Sequence, residues 1–480
     1  MKKFVFPLTV FLLFVLLFIN ACSDKRDNNS PNIIPNNSID LISELTANPD
    51  FNWRTSNNID FTINVPQGVP VGIIKIQSQP ENILFYKGMA NQNNVFHRTI
   101  NIPSYVNQIK ISYSDESLIS ASYNINQQTK YLEHTFEMNT FKSTKVIEDD
   151  DNDGVPNEDD DYPNDFNRAF DNSYPGYDAF NNKLYYTIAF EDTYFGTGDY
   201  DFNDFVADFR FEYVTNASDQ IVDTVLFKFY VRCSGATHKN GFGFQLPNVQ
   251  ESWVTSVSGY DLTADTPYVN LDANNLEAGH NGDSATVIVF ADSWRLFGQN
   301  KAISNTDPDK AYYGIDSFNI VMRFNSGIAA NNLNLEDWNP FIIEQYPTHG
   351  RCLEIHLPDY YRTELGSCSE IGNNYRSPTQ NLPWGIIVGS KFDYTIESGT
   401  NFPVIGDSLI VDSTYNILEM NLGHLHFIEW VQSDGVDYPD WYMAKTGYRD
   451  CQYFYINAKF GVCAHHSDPT LYPYLPNTNP

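Results

Sequence analysis

The sequence predicts an all-β protein in which two sandwich domains are joined by an acidic loop. Three observations support this fold class. Apolar and polar residues alternate with a period of two through most of the chain, which is typical of half-buried antiparallel strands. Aromatic residues make up 15% of the chain, with Tyr and Phe dominating, and they suit the cores of sheets. Helical patterns are scarce, and 480 residues are enough for two or three domains.

The N-terminus has the organisation of an export signal. Two lysines precede an apolar run over residues 4–19, which ends at Asn20, Ala21 and Cys22. The cysteine directly after Ala21 resembles a bacterial lipobox. That resemblance implies a signal peptide of residues 1–21, cleavage before Cys22, lipidation of Cys22, and anchoring in the bacterial outer membrane. The alternative is an uncleaved anchor, because the run approaches the length that spans a bilayer.

The next two segments differ in their capacity to fold. Residues 22–48 are rich in Asn, Ser, Pro and Asp, and they are predicted to form a disordered tether because they bury too little apolar surface. Residues 49–140 instead show short alternating strands, for example at Phe61, Ile63 and Val65, separated by Pro and Gly turn signals. We expect a small, immunoglobulin-like β-sandwich here.

An acidic loop over residues 148–171 follows the predicted small sandwich. It has alternate carboxylates, a glycine at 154 for a sharp turn, a backbone carbonyl at the seventh position and a carboxylate at the twelfth. This is the spacing of a loop wrapped around one hard cation. The predicted calcium ligands are Asp149, Asp151, Asp153, Val155 (through its carbonyl), Asn157 and Asp160. The alternative is a solvated acidic linker.

The same loop resembles a thrombospondin type 3 calcium repeat. It has Val155 and Pro156 directly after the glycine, and a Pro-Asn-Asp turn at residues 163–165. Its twelfth residue is Asp160 rather than the bidentate Glu of an EF-hand, and no helical pattern flanks it. Calcium would order a segment whose carboxylates repel one another, and would thereby fix the angle between the two domains.

Residues 172–466 are predicted to form a large antiparallel β-sandwich, similar to a jelly roll, followed by a tail over residues 467–480. Alternating apolar residues mark strands at 205–213, 225–231 and 318–324, among others. Only one stretch has helical spacing, and Gly423 weakens it. Its apolar residues are Leu418, Leu422, Leu425 and Ile428.

A second acidic cluster lies near the start of this large domain. Asp199, Asp201 and Asn203 stand at alternate positions, so their oxygens would share one side of an extended chain. Glycines at 196 and 198 would let the chain fold back toward Glu191 or Asp192. Oxygen ligands without His or Cys favour calcium over zinc or copper. The predicted ligands of this second ion are Glu191, Asp199, Asp201, Asn203 and Asp204. The alternative is a turn before a strand, in which Asp and Asn bond the local backbone.

The segment G-D-Y-D-F-N-D-F at residues 198–205 resembles the signature of the LruC domain, a bacterial family often found on exported lipoproteins beside calcium repeats. Further matches are E-I-H-L at 354–357, L-P-W-G at 382–385, W-V-Q-S-D-G at 430–435 and D-W-Y at 440–442. The chain departs from the family pattern after Trp384 and around Cys368. The resemblance covers residues 174–466 and implies architecture, export and calcium binding, but no defined activity.

The cysteine count is compatible with an oxidising compartment. One of the six cysteines is assigned to the lipid, and close pairs among the rest are disulfide candidates in an exported chain. We predict bridges between Cys352 and Cys368 and between Cys451 and Cys463, and a free, buried Cys233.

Charge and motifs limit the function classes. A net charge of −31 argues against nucleic acid and anionic membrane surfaces as partners, so membrane contact would come from the lipid anchor. No G-x-S-x-G or H-E-x-x-H motif occurs. Glu354 and His356 share a strand face and could form an acid–base pair, although such pairs more often form structural hydrogen bonds. Trp384 and Trp441 could stack on sugars, although a packed core is their commoner location.

The sequence therefore predicts a calcium-binding, lipid-anchored protein of the cell envelope with a structural role, or with a surface-binding role toward a glycan or a protein. The alternative is a calcium-dependent extracellular hydrolase acting on polysaccharide or peptide. No catalytic residue can be named for that alternative, and the binding or structural role is favoured.

Overall fold

The computed structural model describes residues 41–454, apart from gaps at 70–71, 92, 114–118, 138–147, 193, 195–197, 263–267, 299–301, 308–310, 346–349, 369–374 and 397–418. The predicted signal peptide, Cys22, Cys463 and the predicted tail lie outside the described residues. All described residues belong to one compact unit that begins at Leu41. No helix among them is long and apolar enough to cross a membrane.

The first seven strands form the small sandwich. They are β1 (Ser56–Asn64), β2 (Ile73–Ser78), β3 (Leu84–Met89), β4 (Val95–Pro103), β5 (Gln108–Tyr113), β6 (Ser120–Asn124) and β7 (Tyr131–Thr135). One sheet has the order β4-β1-β7 and the other β3-β2-β5-β6. β1 and β7 are parallel, whereas the other pairs are antiparallel. The alternating residues Phe61, Ile63 and Ile109 are fully buried between the sheets, which confirms the predicted sandwich.

Eleven further strands form the large sandwich. They are β8 (Phe170–Tyr174), β9 (Tyr186–Phe190), β10 (Phe205–Thr215), β11 (Ile221–Cys233), β12 (Asn240–Leu246), β13 (Val254–Ser258), β14 (Ala285–Phe290), β15 (Asp316–Phe324), β16 (Asn339–Glu344), β17 (Glu354–His356) and β18 (Gly385–Val388). A seven-stranded sheet has the order β13-β15-β11-β10-β9-β18, with β8 also paired to β10, and a four-stranded sheet has the order β14-β12-β16-β17. Every strand pair in these two sheets is antiparallel, as predicted.

Aromatic side chains fill the core of the large sandwich. Phe209 and Phe211 of β10 lie with their ring centroids 4.6 and 4.9 Å from that of Trp338. Phe227 of β11 stacks edge-on to Phe211 at 4.7 Å. The period-two aromatic pattern of these strands therefore places one whole face of β10 and β11 in the core.

The helices in the described residues are short. The α-helices in the described residues are α1 (Ala330–Leu333), α2 (Met420–Gly423) and α3 (Phe427–Gln432). The single helix predicted over residues 418–428 is wrong in its described part, because the chain breaks at His424 between α2 and α3. Gly423, the last residue of α2, is closely packed: a Cβ there would stand 2.8 Å from the Thr395 side chain and 2.9 Å from the Phe454 ring, so only glycine permits this approach.

The segment before β1 packs on the large sandwich. Ile42 is fully buried, and the Ala47 amide donates to the Gln380 carbonyl at 2.8 Å. The Trp53 indole nitrogen donates to the Asn381 carbonyl at 3.1 Å. The predicted disordered tether over residues 22–48 is therefore wrong for residues 41–48, because their few apolar side chains pack against the large sandwich.

Candidate metal centre

The acidic loop folds around its own first aspartate. The Asp149 carboxylate accepts hydrogen bonds from the Asn152 amide at 2.7 Å and from the Gly154 amide at 3.0 Å. Asn152 and Gly154 both have positive φ angles, of 63° and 99°, which turn the chain sharply at these points. The sequence D-N-D-G thus encodes a tight loop whose amides are bonded by its own carboxylates.

Three carboxylates of this loop each keep one oxygen buried and without a hydrogen-bond partner in the described structure. These oxygens are Oδ2 of Asp151, Oδ2 of Asp153 and Oδ2 of Asp160. Each residue uses its other oxygen for a local amide, as when Asp153 Oδ1 accepts from the Val155 amide at 2.8 Å. A buried acceptor without a donor is costly, so these three oxygens fit a cation.

The electrostatics of the loop agree with this interpretation. One ligand atom from each of Asp149, Asp151 and Asp153 lies within 4.8 Å of the others. Asp160 is only 8% exposed, and burial, together with the nearby Asp153 and Asp151 carboxylates, raises its pKa to about 6. Burial also raises the pKa of Asp153. The surroundings of these carboxylates therefore disfavour their ionised form. Either a bound cation or protonation would relieve this cost.

The two remaining predicted ligands have other contacts in the structure. Asn157 Oδ1 accepts a hydrogen bond from the Asp150 amide at 2.9 Å, so it closes the loop. The Val155 side chain is fully buried. It belongs to a small apolar cluster with Ile73, Ala169 and Phe170. Val155, whose carbonyl is a predicted ligand, thus attaches the loop to this apolar cluster through its side chain.

Ion pairs attach the loop to the small sandwich. Lys75 on β2 lies 3.2 Å from Asp159, and Lys87 on β3 lies 2.7 Å from Asp161. The Asp161 carboxylate also accepts from the amide of Asp171 in β8, which belongs to the large sandwich, at 2.7 Å. The acidic loop is therefore in contact with both sandwiches.

The second acidic cluster is more deeply buried than the first. One oxygen from each of Glu191, Asp199 and Asp201 lies within 4.8 Å of the others. Glu191, at the end of β9, accepts hydrogen bonds from the Tyr200 amide at 3.2 Å and from the Phe202 amide at 2.5 Å. The structure thus brings together three of the five predicted residues, and it folds the chain back onto Glu191 as predicted.

The extended geometry predicted for this cluster is wrong. Tyr200 and Phe202 have φ angles of 57° and 52°, in the left-handed region, so the backbone curls around the Glu191 carboxylate. Successive amides in such a turn form a concave anion site, and Glu191 is the anion that they bind. Gly198 lies close to this carboxylate, and a Cβ there would stand 2.7 Å from Glu191 Oε2, so a larger residue would displace the Glu191 side chain.

The other two predicted ligands differ from each other. Asn203 is fully buried and donates to Asp201 Oδ2 at 2.6 Å and to the Thr395 carbonyl at 3.2 Å, whereas its Oδ1 atom has no partner in the described structure. Asp204 instead accepts from the Asp192 amide at 2.8 Å, and it is not one of the three clustered carboxylates. Asn203 therefore offers an oxygen to this site, and Asp204 stabilises the turn.

Burial dominates the electrostatics of the second cluster. It raises the pKa of Glu191 well above its ordinary value, with the Asp199 carboxylate as the next cause. It also raises the pKa of Asp199. A proton shared within the cluster or a bound cation would each relieve this cost.

The comparisons with known proteins assign no task to this chain. Residues 219–401 match the model of a family described as a domain of unknown function (DUF4842), which covers less than half of the chain. The match includes the E-I-H-L and L-P-W-G motifs but neither acidic cluster. No curated protein matches the chain at a significant level.

Two solved structures are similar to this chain. One is the crystal structure of a "Putative lipoprotein from Bacteroides ovatus", with 12% sequence identity, a TM-score of 0.45, and coverage of 80% of this chain and 98% of that one. The other is the full-length major pilin SpaD from Corynebacterium diphtheriae, with 8% identity, a TM-score of 0.13, and coverage of 65% and 67%. Neither likeness is close enough to support a conclusion about this chain.

The cysteines follow the prediction where the structure describes them. Cys352 and Cys368 form a disulfide with a Cα–Cα distance of 4.9 Å. Cys233 is buried and belongs to no disulfide among the described residues, and its thiol donates to the Asn203 carbonyl at 3.2 Å. The pairing of Cys451 with Cys463 stays a prediction, because Cys463 lies outside the described residues.

The predicted acid–base pair is part of a buried polar network. His356 Nε2 lies 3.0 Å from Glu354 Oε2, and His356 Nδ1 lies 2.6 Å from Asn339 Oδ1. Arg351 bonds both Glu354 and Glu277. Burial opposes the charge of Glu354, but Arg351 and His356 outweigh it and lower its pKa to about 2. Glu354 and His356 are both fully buried, which is the environment expected of a structural hydrogen bond.

Sequence reasoning missed most of this network. Arg351 and Glu277 are 74 positions apart, and no local pattern connects them. Only the E-I-H-L motif pointed to the region. Trp384 and Trp441 are both buried, which confirms that they belong to the core.

Proposed function

We propose that this chain is an exported, lipid-anchored, calcium-binding protein of the cell envelope, with a structural or surface-binding role. The observation that carries the calcium proposal is the set of three buried Oδ2 atoms of Asp151, Asp153 and Asp160 that lack a hydrogen-bond donor. They belong to a loop whose ligand spacing is that of a hard-cation site. A calcium ion would supply the positive charge that these oxygens lack.

The donor set favours calcium among the common cations. All side-chain donors in both clusters are oxygens, which excludes the sulfur and imidazole ligands that zinc and copper prefer. Calcium accepts six to eight oxygens in flexible geometry, whereas magnesium demands a near-ideal octahedron. In the first site the ion would be held by Asp149, Asp151, Asp153 and Asp160, with the Val155 carbonyl completing the shell.

The second cluster supports a second ion by a separate observation. Glu191 and Asp201 are buried, and Asn203 offers a fully buried Oδ1 atom without a partner in the described structure. Two buried carboxylates with a third nearby are costly unless a cation neutralises them. Glu191, Asp199, Asp201 and Asn203 would hold this ion.

The role of the first ion follows from the position of its loop. The loop contacts the small sandwich through two lysine ion pairs and the large sandwich through the amide of Asp171. Neutralising its carboxylates would remove their mutual repulsion and stabilise the joint between the two sandwiches. A rigid joint suits a protein that projects from a surface.

The lipid anchor is proposed from the sequence alone. The basic residues, apolar run and Ala21-Cys22 pair have the order of a lipoprotein signal. Expression with a labelled fatty acid should label the chain, and a Cys22→Ala variant should carry no label. A labelled Cys22→Ala variant, or an unlabelled native chain, would remove this part of the proposal.

Calorimetry tests the calcium proposal directly. When metal-free protein is titrated with CaCl₂, the heat of each injection should follow a saturable binding curve. In a separate experiment, EDTA should lower the melting temperature of the calcium-loaded protein. Asp153→Asn should weaken the binding, because it removes charge while keeping the acceptor for the Val155 amide. The control is Asp150→Asn, which removes the same charge from an exposed position in the same loop. Equal binding by both variants would refute the site.

Limited proteolysis tests the structural role. Without calcium the loop over residues 148–171 should be cleaved faster than with calcium, because an ordered loop cannot adopt the extended conformation that a protease active site binds. The sites of cleavage can be read by mass spectrometry. A rate of cleavage in the loop that calcium leaves unchanged would contradict the proposed stiffening of the joint, even if the ion binds.

A further inference from the structure

A cleft on the large sandwich lies apart from both acidic clusters. Its volume is about 580 Å³, within the range of roughly 300–1,000 Å³ that is typical of small-ligand sites. Its wall combines residues that are distant in sequence, including Arg54 from the segment before β1, Asp337 and Asn339 near the start of β16, and Tyr360 and Tyr361 after β17. Neither candidate calcium site contributes a residue.

An exposed aromatic ring stands at this cleft. Tyr361 is 86% exposed, although burying an aromatic ring is favourable. Its backbone is held firmly, because the buried Asn339 side chain donates to the Tyr361 carbonyl at 2.9 Å. Asn339 is in turn bonded by His356 of the buried polar network. The ring is therefore presented to solvent from a rigid support.

Polar residues line the same cleft as Tyr361. The Arg54 guanidinium lies over the Tyr360 ring at 4.7 Å from its centroid and 3.9 Å from Asp337 Oδ1. Within the described residues its N–H groups donate no hydrogen bond, so they remain available to a ligand. The Gln245 carboxamide also lines the cleft. Planar donors and acceptors in the same cleft as an exposed aromatic ring can bond hydroxyl groups while the ring covers an apolar surface.

The charges in the cleft are balanced. Arg54 is paired with Asp337, and Asp359 is bonded by Arg376 at 2.6 Å. An ionic ligand would leave its own charge without a counter-ion, so the cleft favours an uncharged one. The concave form and modest volume also disfavour a protein partner, since stable protein interfaces bury more than about 1,000 Å².

We infer that this cleft binds a neutral oligosaccharide, with the Tyr361 ring stacked on a sugar face and Arg54 and Asp337 bonding its hydroxyl groups. Sugars present both an apolar C–H face and many hydroxyls, which is the combination that the cleft walls match. The inference rests on the proposed surface-binding role and names its ligand class. It does not depend on calcium, because the acidic clusters contribute nothing to the cleft.

The test uses the full-length chain purified in detergent. An array of neutral α-glucan, β-glucan, xylan and mannan oligosaccharides identifies a ligand, and calorimetry then measures its affinity. Tyr361→Ala should weaken binding about tenfold, as expected for the loss of one aromatic stacking contact. Tyr361→Phe keeps the ring and should bind within about threefold of the native chain. The matched control is Phe180→Ala, since Phe180 is 83% exposed but does not line the cleft.

Each outcome decides the inference. Binding that is lost in Tyr361→Ala and kept in Tyr361→Phe and Phe180→Ala supports it. No binding to any neutral oligosaccharide of the array, or equal binding by Tyr361→Ala, overturns it. Calorimetry with CaCl₂ on the same sample separates the two proposals. If calcium binds but no sugar does, only the proposed sugar binding by the cleft is refuted. If sugar binding depends on the Tyr361 ring but no heat of calcium binding is measured, only the proposed calcium sites are refuted.

Discussion

Replacing Asp160 by Asn should change the stability of the protein in opposite directions with and without calcium. The substitution keeps the shape of the side chain and the Oδ1 acceptor for the Tyr162 amide, which lies 2.7 Å away. It replaces the buried Oδ2 atom by an NH₂ group that can donate to the neighbouring carboxylates. The loop thereby loses a buried negative charge and gains hydrogen-bond donors, but it also loses a calcium ligand.

The magnitude follows from the pKa of Asp160. Its folded value of about 6 lies above an ordinary unfolded value of about 3.9. A raised pKa means that the stability due to this group is fully present below about pH 4 and is lost as the pH rises through about 6. The loss is at most about 3 kcal/mol, and we expect about 1–2 kcal/mol because the loop lies at the surface, where solvent and salt screen its charges.

In EDTA at pH 7.5, Asp160→Asn should therefore be more stable than the native chain by about 1–2 kcal/mol, and the difference should vanish toward pH 4. In calcium at about 100 times its dissociation constant, the native chain should gain about 2.7 kcal/mol, and the variant should gain clearly less. Urea denaturation at several pH values measures both effects.

Asp150→Asn is the control for the change in net charge. It should leave the pH profile and the calcium response close to those of the native chain, because this side chain is exposed. A variant Asp160→Asn that is less stable than the native chain in EDTA at pH 7.5 would refute the reasoning about repulsion. Equal stabilisation of both chains by calcium would refute Asp160 as a ligand.

Three further predictions follow from the buried groups. Glu191→Gln should lower the calcium content of the purified protein by about one ion per chain, measured by elemental analysis; an unchanged content would contradict the second site. Arg351→Met should cost about 3–5 kcal/mol in urea denaturation, because it leaves two buried glutamates without their counter-charge. The exposed ion-pair variant Arg323→Met should cost less than about 1 kcal/mol, and equal costs would contradict the importance of burial. Replacing Cys352 and Cys368 together by Ser should cost about 3 kcal/mol, since the bridge closes a loop of 16 residues; an unchanged midpoint would show that the bridge adds no stability.

The sequence was most informative where a pattern is local. Phe61 and Ile63 alternate with polar neighbours, and this was sufficient to predict a sandwich strand. The turn of the acidic loop was also a local pattern, because its alternate carboxylates and its glycine lie within a few residues of one another. Calcium binding by the loop stays a prediction. Asp151 and Asp153 keep a buried oxygen each, as such a loop requires.

The sequence was less informative where distant segments meet. Tyr200 and Phe202 adopt left-handed conformations because their amides bind Glu191, and period-two reasoning treats such residues as extended. Ile42 was assigned to a tether because composition was averaged over a polar segment. Its burial depends on a partner surface that lies more than 300 positions away. The cleft beside Tyr361 is invisible to any local pattern for the same reason.

The packing of residues 41–53 determines how the protein would respond to mechanical load. A pull on the chain upstream of residue 41 is borne first by the hydrogen bonds from the Ile42 and Ser43 amides to the Glu419 carboxylate. The bond from the Ala47 amide to the Gln380 carbonyl and the bond from the Trp53 indole to the Asn381 carbonyl follow along the chain. The small sandwich begins only at Ser56, so it is shielded from that force until these contacts break. The large sandwich therefore takes up such a force before the small sandwich does.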